Sequence, residues 1–275
     1  MWMQVELTWG AATALGAREE NQDRAVATPP VFAVADGMGG HAGGAAAAEA
    51  VVEALGALAG GPATSVERVR LALRRADGEI RAASGDAPGG GGSTVAGVAL
   101  VEEGAGSQWA VFHVGDSRVY RLSGDVLEQL STDHSVVQEL IDAGHLSDAG
   151  AASHPQRHII TRALGVGASN QADVVLLPVV PGEVFLACSD GLTNEVGPAR
   201  IAEHLAPKAA PRWRSPTHSC RRQMPTASVK TSPWSSAKLD RLEYGRTQLS
   251  LPTYSCPNRS SLKYLRTSDV YVFRI

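Results

Sequence analysis

The chain has 275 residues, a formal net charge of −3 and 3 cysteines, which suits one large domain with or without an appendage and is ample for a buried core. No apolar run of about 18 residues suggests a membrane span, and no basic segment followed by an apolar stretch opens the chain as a signal peptide would. Cys188, Cys220 and Cys256 form neither a zinc pattern nor a disulfide framework, so the expectation is a cytoplasmic protein with reduced thiols. The charge is unevenly spread. Residues 208–275 carry 13 Lys and Arg against 3 Asp and Glu, and the remainder carries 12 against 25. An acidic body argues against nucleic acid as its partner.

In chain order, residues 4–10 and 24–35 read as strands, with a turn carrying Arg18 to Asp23 between them. The alanine-rich segment 43–59 predicts a helix. A second helix is predicted from Thr64 to about Ala83, because Thr64-Ser65-Val66-Glu67 fits a capping box and the spacing of Val66, Val69, Leu71, Leu73 and Ile80 suggests one buried face. Strands follow near 94–101, 108–114, 117–122 and 126–130, with Gly115-Asp116 read as a hairpin turn between the second and third. A helix over 135–143 capped by Asp133, strands near 172–180 and 183–188, and a helix near 197–206 complete the body. Strands in runs and helices in runs indicate an α+β protein, not alternating βαβ units.

Chemistry concentrates where strands end. Val31 to Ala35 is an apolar run that exits into Asp36-Gly37-Met38-Gly39-Gly40-His41, Phe185 to Cys188 exits into Ser189-Asp190-Gly191, and Val111 to Val114 exits into Gly115-Asp116-Ser117. A turn cap would explain any one of these aspartates. Three of them predict one carboxylate cluster, and clustered carboxylates call for a hard cation with oxygen ligands.

Six segments carry a resemblance. They are Gly16-Ala17-Arg18-Glu19-Glu20-Asn21-Gln22-Asp23, Asp36-Gly37-Met38-Gly39-Gly40, Gly92-Ser93-Thr94, Val114-Gly115-Asp116-Ser117-Arg118, Ile160-Thr161-Arg162-Ala163-Leu164-Gly165 and Cys188-Ser189-Asp190-Gly191-Leu192. In this order, across roughly residues 5–205, the chain resembles the metal-dependent (PPM-type, protein phosphatase 2C) serine/threonine phosphatases of bacterial type. The resemblance implies two packed, mainly antiparallel sheets flanked by helices, a four-layer αββα sandwich with the metals at one end. It implies hydrolysis of phosphomonoesters on proteins by water activated between two Mg²⁺ or Mn²⁺ ions, with a third, weaker ion beside them. Asp36, the Gly37 carbonyl and Asp190 are the implied metal ligands, with Asp23 and Asp116 supporting them and Gln22 outside the first shell. Arg18 is the implied phosphate clamp, since a guanidinium offers a planar fork of donors to two phosphate oxygens. Met38 stands where some relatives carry a proton-donating His; His41 is one candidate general acid and metal-bound water the other. His113, His134, His154 and His158 read as structural or surface residues. Phosphorylated proteins and a cognate serine/threonine kinase are the implied partners.

The resemblance fails beyond residue 207, which divides the chain into a catalytic domain, 1–207, and a basic Ser/Thr/Arg-rich tail, 208–275. The family ends in an Asp-Asn-Val-Thr-type strand whose Asp binds metal, and the tail has no such segment in frame. Codons for Lys230 to Ser236, read from their third base with G or C in third positions, give Asp-Val-Thr-Val-Val-Val-Gly. The expectation is therefore a frameshift near Lys208, a disordered tail and a missing final strand. Two alternatives stay open. Asp269-Val270-Tyr271-Val272 is an Asp followed by alternating β-formers that could replace the strand; or the chain is a catalytically impaired pseudophosphatase that binds phosphoproteins through Arg18.

Overall fold

The computed structural model describes residues 6–13, 20–39, 43–84, 90–104, 106–167, 170–206, 243–248 and 270–274. The first strand, β1 (Glu6–Ala12), is followed by β2 (Asp23–Thr28), β3 (Val31–Met38), helices α1 (Gly43–Gly56) and α2 (Val66–Ser84), then β4 (Gly92–Ser93), β5 (Val95–Glu103) and β6 (Gly106–Val114). Next come β7 (Arg118–Ser123), β8 (Val126–Gln129), α3 (Val136–Asp142), α4 (Asp148–Ala151), β9 (Asp173–Pro178), β10 (Val184–Cys188), α5 (Asp190–Glu195) and α6 (Pro198–Leu205). Two strands, β11 (Glu243–Gln248) and β12 (Val270–Arg274), come from the basic tail.

The strands form two sheets, ordered β2-β3-β5-β6-β9 and β11-β1-β12-β10-β7-β8, with β4 paired to β3. The period-2 alternation of β3 shows how they stack. Val31, Ala33 and Ala35 pack with Ala47, Val51 and Leu55 of α1 and Val69, Leu73 and Ile80 of α2. Phe32 and Val34 face the other way, into a cluster with Leu7, Val119, Phe185 and Ala187 of the second sheet. Tilted ring contacts between Trp9 and Phe32 (5.7 Å) and between Trp109 and Phe185 (5.6 Å) bridge the sheets. On the outer face of the second sheet, Tyr120, Leu122, Val184 and Leu186 pack with Leu192, Ile201 and Leu205. The result is the expected α+β arrangement of helix, sheet, sheet and helix layers. No helix among the described residues is long and apolar enough to cross a membrane.

Several local expectations are corrected. The segment 24–35 is not one strand: Pro29-Pro30 breaks it into the β2–β3 hairpin, in which Asp23 lies opposite Asp36. The second helix begins at Val66 and its cap is Ser65, whose Oγ accepts from the Arg68 N–H at 3.3 Å. Thr64 instead bridges to Val101. The third helix is capped by Ser135, which accepts from Gln138 N–H, leaving Asp133 for another role. Gly115-Asp116-Ser117 does not close a hairpin, because β6 and β7 belong to different sheets. It carries the chain across the end of the sandwich.

The expectation of a missing final strand is also corrected. Val270–Arg274 pairs antiparallel with β1 on one side and β10 on the other, Val272 standing opposite both Gly10 and Leu186. A gap here would leave two unpaired edges in the middle of a sheet. The alternating β-formers of this segment fill it instead. Asp269 and Lys230–Ser236 lie outside the described residues.

Wherever the Val272 N–H points, it faces a neighbouring strand, so Val272→Pro removes a ladder donor. The expected cost is at least about 2 kcal/mol, read as a lower midpoint of thermal unfolding. An unchanged midpoint would mean that the tail strand does not hold the sheet together.

Candidate metal centre

The β2–β3 hairpin delivers the first carboxylates. Asp23 opens β2 directly across from Asp36 near the end of β3, so the two acids share one end of the first sheet. The backbone of Asp36 is held from both directions: its N–H donates to Thr94 Oγ1 (3.2 Å), and its carbonyl accepts from the Thr94 N–H (2.9 Å) and from Ser93 Oγ (3.2 Å). Ser93 and Thr94, which read as ordinary strand residues, thus set where Asp36 sits. The Thr94 hydroxyl is also 2.7 Å from the Ser117 hydroxyl, linking Asp36 to the crossover that carries Asp116.

Gly37 needs its lack of a side chain. A Cβ there would lie 2.1 Å from the carbonyl oxygen of Gly44, on the first turn of α1, and 2.9 Å from the Gln22 carbonyl. The start of the helix can therefore approach the strand end backbone to backbone. Gln22 belongs to the same packing, with its Oε1 within 2.6 Å of a Cβ built on Gly44.

The second sheet reaches the site through β10. Ser189 Oγ donates to Asp23 Oδ2 at 2.8 Å, which fastens the exit of β10 to the entrance of β2. Asp190 follows as the first residue of α5, and its Oδ2 accepts from Asn194 Nδ2 (3.1 Å). The other oxygen of Asp23, Oδ1, is buried with no hydrogen-bond partner among the described residues. A buried carboxylate oxygen that receives no donor is costly, and a cation ligand is the group that such an oxygen fits.

Asp116 completes the cluster electrostatically. Burial, followed by the nearby charges of Asp190 and Asp133, pushes its carboxyl up to about 6. Beside it Arg118 is locked to Asp133, with Nε 2.9 Å from Oδ1 and Nη2 2.6 Å from Oδ2, while Nη1 donates to Tyr120 OH at 3.1 Å. Burial works against the Arg118 charge, but the Asp133 carboxylate outweighs it and holds the guanidinium protonated. Asp133, expected as a helix cap, is the counter-ion of this half-buried arginine. Cys188, directly before Ser189, is fully buried, and burial pushes its thiol up to about 12, so it packs as an apolar group.

The structure therefore brings Asp23, Asp36, Gly37, Asp116 and Asp190 to one end of the sandwich. Arg18 and His41 lie outside the described residues. Thr94 and Ser189, which belong to the motif segments without an assigned role, and Asp133, expected as a helix cap, contact this set or its supports, and His134 is buried against the Gly115 backbone. Thr94 and Ser189 could be found as motif members, whereas nothing local in the sequence marks Asp133 and His134.

Carboxylates at the ends of both sheets of a helix-flanked sandwich, one with a buried oxygen that receives no donor, suit a protein that holds a hard cation with oxygen ligands. Comparison with known proteins agrees. Residues 14–225 match the protein phosphatase 2C family, and the chain belongs to that family, as a metal-dependent serine/threonine protein phosphatase that hydrolyses phosphoproteins. It is 37% identical over 198 residues to the serine/threonine phosphatase stp of Listeria innocua, covering 69% of this chain and 75% of that protein. It is 33% identical to the Mycobacterium tuberculosis serine/threonine phosphatase PstP/Ppp, whose crystal structure superposes with a TM-score of 0.65 over 73% of this chain and 86% of that one. A crystal structure of the catalytic domain of PstP in complex with 2 manganese ions is 32% identical, with a TM-score of 0.63 over 73% of this chain and 84% of that chain.

The site is braced from α2 by Asp77. Its Oδ1 accepts from the Gly165 N–H (2.7 Å) and Asn170 Nδ2 (2.6 Å), and its Oδ2 accepts from Arg81 Nε (2.9 Å). Next to Gly165, Leu164 exchanges backbone hydrogen bonds with Ser93, which in turn holds Asp36. Partial burial alone would raise the Asp77 carboxyl, but the bonds from Arg81, Gly165 and Asn170 outweigh it and hold it below its ordinary value of 3.8. A depressed carboxyl contributes stability above its unfolded pKa and loses it as pH falls through the folded one. Asp77→Ala should therefore cost about 1.5–3 kcal/mol at neutral pH, and the gap to wild type should close as pH falls below 3.8. Thermal melts of both proteins across pH check this; a gap independent of pH would assign the loss to packing.

Proposed function

We propose that the chain cleaves phosphoserine and phosphothreonine esters in proteins at a centre of two Mg²⁺ or Mn²⁺ ions held by Asp36, the Gly37 carbonyl and Asp190. Asp23 supports them and Asp116 contributes to a third, weaker site. The observation that carries this reading is the junction where Asp23 stands opposite Asp36, Ser189 ties the exit of β10 to Asp23, and Asp23 Oδ1 receives no donor among the described residues. Oxygen donors alone suit hard divalent cations and disfavour zinc. When bound, such ions lower the pKa of water and stabilise charge on the phosphoryl oxygens.

The chain's own residues have separate tasks in this scheme. Carboxylates on two different sheets hold the ions in fixed relative positions, because neither sheet end can move without breaking the Ser189–Asp23 bond. Arg18 orients the phosphate through paired donors and stays charged at all working pH. Met38 cannot donate a proton, so His41 is the side chain proposed to protonate the leaving oxygen. The natural substrates are proteins phosphorylated by a serine/threonine kinase that this enzyme opposes, and the proposed compartment is the cytoplasm. The catalytic motifs are assigned to residues 1–207, and the tail strand Val270–Arg274 completes the sheet on which they rest. The frame shift near Lys208 is proposed for the gene; DNA whose codons for Lys230–Ser236 cannot yield Asp-Val-Thr-Val in the shifted frame would sink it.

The direct test is hydrolysis of p-nitrophenyl phosphate with and without Mn²⁺. Wild type should turn over only with metal, and Asp36→Asn should lose roughly 10³-fold or more of that turnover, the order expected when a transition-state electrostatic group is removed, while keeping its far-UV circular dichroism. A folded Asp36→Asn protein that retains activity would refute the ligand assignment.

A further inference from the structure

Beneath the carboxylate cluster lies a second group of polar side chains, His113, His134 and Asp173, whose donor atoms fall within 4.8 Å of one another. Its geometry does not suit a metal ion. The two imidazoles are stacked, with centroids 4.6 Å apart and planes 22° apart, so their in-plane lone pairs run side by side and do not converge. Arg162 Nη1 lies 2.9 Å from His134 Nε2 and 3.1 Å from Asp173 Oδ1. A fixed cation thus occupies the place an ion would take.

The connections of His134 point to a different task. Its backbone N–H donates to the Gly115 carbonyl at 2.9 Å, and its ring Nδ1 accepts from the Gly115 N–H at 3.0 Å. One residue thus satisfies both polar backbone groups of the glycine that precedes Asp116. Gly115 has φ +100°, and a Cβ there would meet Thr94 Cγ2 at 2.7 Å, so the turn has a conformation that a side chain cannot share.

For Nδ1 to accept, the ring proton must sit on Nε2 and point to Asp173 Oδ2 at 3.1 Å. Arg162 Nη1 is then a close neighbour of Nε2 and not its hydrogen-bond donor. Arg162 donates to the other oxygen of Asp173. Burial lowers the His134 pKa, outweighing the hydrogen bond to Asp173, so the ring is neutral near pH 7 and Nδ1 keeps its lone pair. His113, opposite Asp173 in the β6–β9 register, stacks on the ring from one side, and its Nε2 donates to the Thr132 carbonyl at 2.7 Å. Stacking and the contacts of both ring nitrogens fix the position of the ring.

We propose that His134 is a positioning residue for Asp116: by clamping both backbone groups of Gly115, it fixes the turn from which Asp116 enters the carboxylate cluster and so sets the affinity of the weaker cation site. The inference rests on the metal-ligand reading of Asp116 given above. Asp116 shares its surroundings with the like charges of Asp190 and Asp133. Without the clamp, a turn free to rotate would carry the carboxylate away from them, and the site would have to be rebuilt each time a cation bound.

Three substitutions in the full chain separate this role from packing. His134→Asn keeps an acceptor at the place of Nδ1. His134→Gln reaches toward Asp173 but leaves the Gly115 N–H without a partner. His134→Ala does neither. Binding of Mn²⁺, followed by the electron paramagnetic resonance of the free ion, is the primary readout, because it does not depend on turnover. The Ala and Gln variants should weaken the weak site roughly tenfold or more, the scale of a lost outer-shell partner, with tight-site stoichiometry unchanged and the Asn variant near wild type. Half-activation of p-nitrophenyl phosphate hydrolysis should shift to higher Mn²⁺ in step, at unchanged KM. If the Ala variant does not fold, the comparison of Asn with Gln, two side chains of similar chemistry, decides. The proposal is overturned by Gln binding Mn²⁺ like wild type, by a folded Asn variant as impaired as Gln, or by a wild-type titration with no weak site. A wild type that binds Mn²⁺ in this pattern without hydrolysing the ester would fail the phosphatase reading alone.

Discussion

A hydrogen bond of 2.8 Å from the Ser189 hydroxyl to the Asp23 carboxylate ties the exit of one sheet to the entrance of the other. A bond to a charged acceptor is worth about 1.5–3 kcal/mol net, too little to hold two sheets together. The apolar interior does that, with Phe32, Val34, Trp109 and Phe185 filling the space between them. What the bond supplies is registry. The sheets are already pressed face to face, and Ser189 fixes how their ends align, which decides whether carboxylates on different sheets can meet. The function of the molecule therefore depends on packing for strength and on a few polar contacts for position.

The carboxylate end was legible in the sequence because its signal is local. An apolar run followed by an aspartate and a glycine is both a strand and its exit, and three copies could be read without knowing which strands pair. What could not be read depends on contacts between distant residues. Gly115-Asp116 looks like a hairpin turn, since it sits between two strands at hairpin spacing. Whether those strands pair is settled by β9 and β10, about sixty residues further on, which take the neighbouring places in the two sheets. The run over 24–35 hid a turn because apolar residues flank Pro29-Pro30 on both sides, and only the missing ladder donors of the prolines mark it.

The tail poses the same problem more sharply. By composition, residues 208–275 contain 13 basic residues, one glycine and no clear periodicity, a profile usually associated with disorder. Composition averages over the segment, whereas a sheet needs only a few residues in the right pattern. Val270–Arg274 supplies five, between β1 and β10, and Glu243–Gln248 lines the outer side of β1. The opposite charges of tail and body favour their association, though screening confines that attraction to about 8 Å in physiological salt. Backbone pairing at an otherwise open position in the sheet is the stronger and more specific term.

The segment from Gly115 to Arg118 shows how a crossover can be made rigid. A chain passing between two sheets has no ladder of its own, so its geometry must come from outside. Here it comes from two consecutive residues. Asp133 takes the guanidinium of Arg118 in a bidentate grip at one end, and His134 takes the backbone of Gly115 at the other. Thr94 adds a third support, reaching the Ser117 hydroxyl between them and the Asp36 backbone behind. Asp116 is thus the one acid of the crossover that the braces leave for the cluster, held among like charges by neighbours on both sides. The motif residues supply the chemistry, and the pair at 133–134, which lies 15 and 19 residues beyond its partners, supplies the geometry that makes it usable.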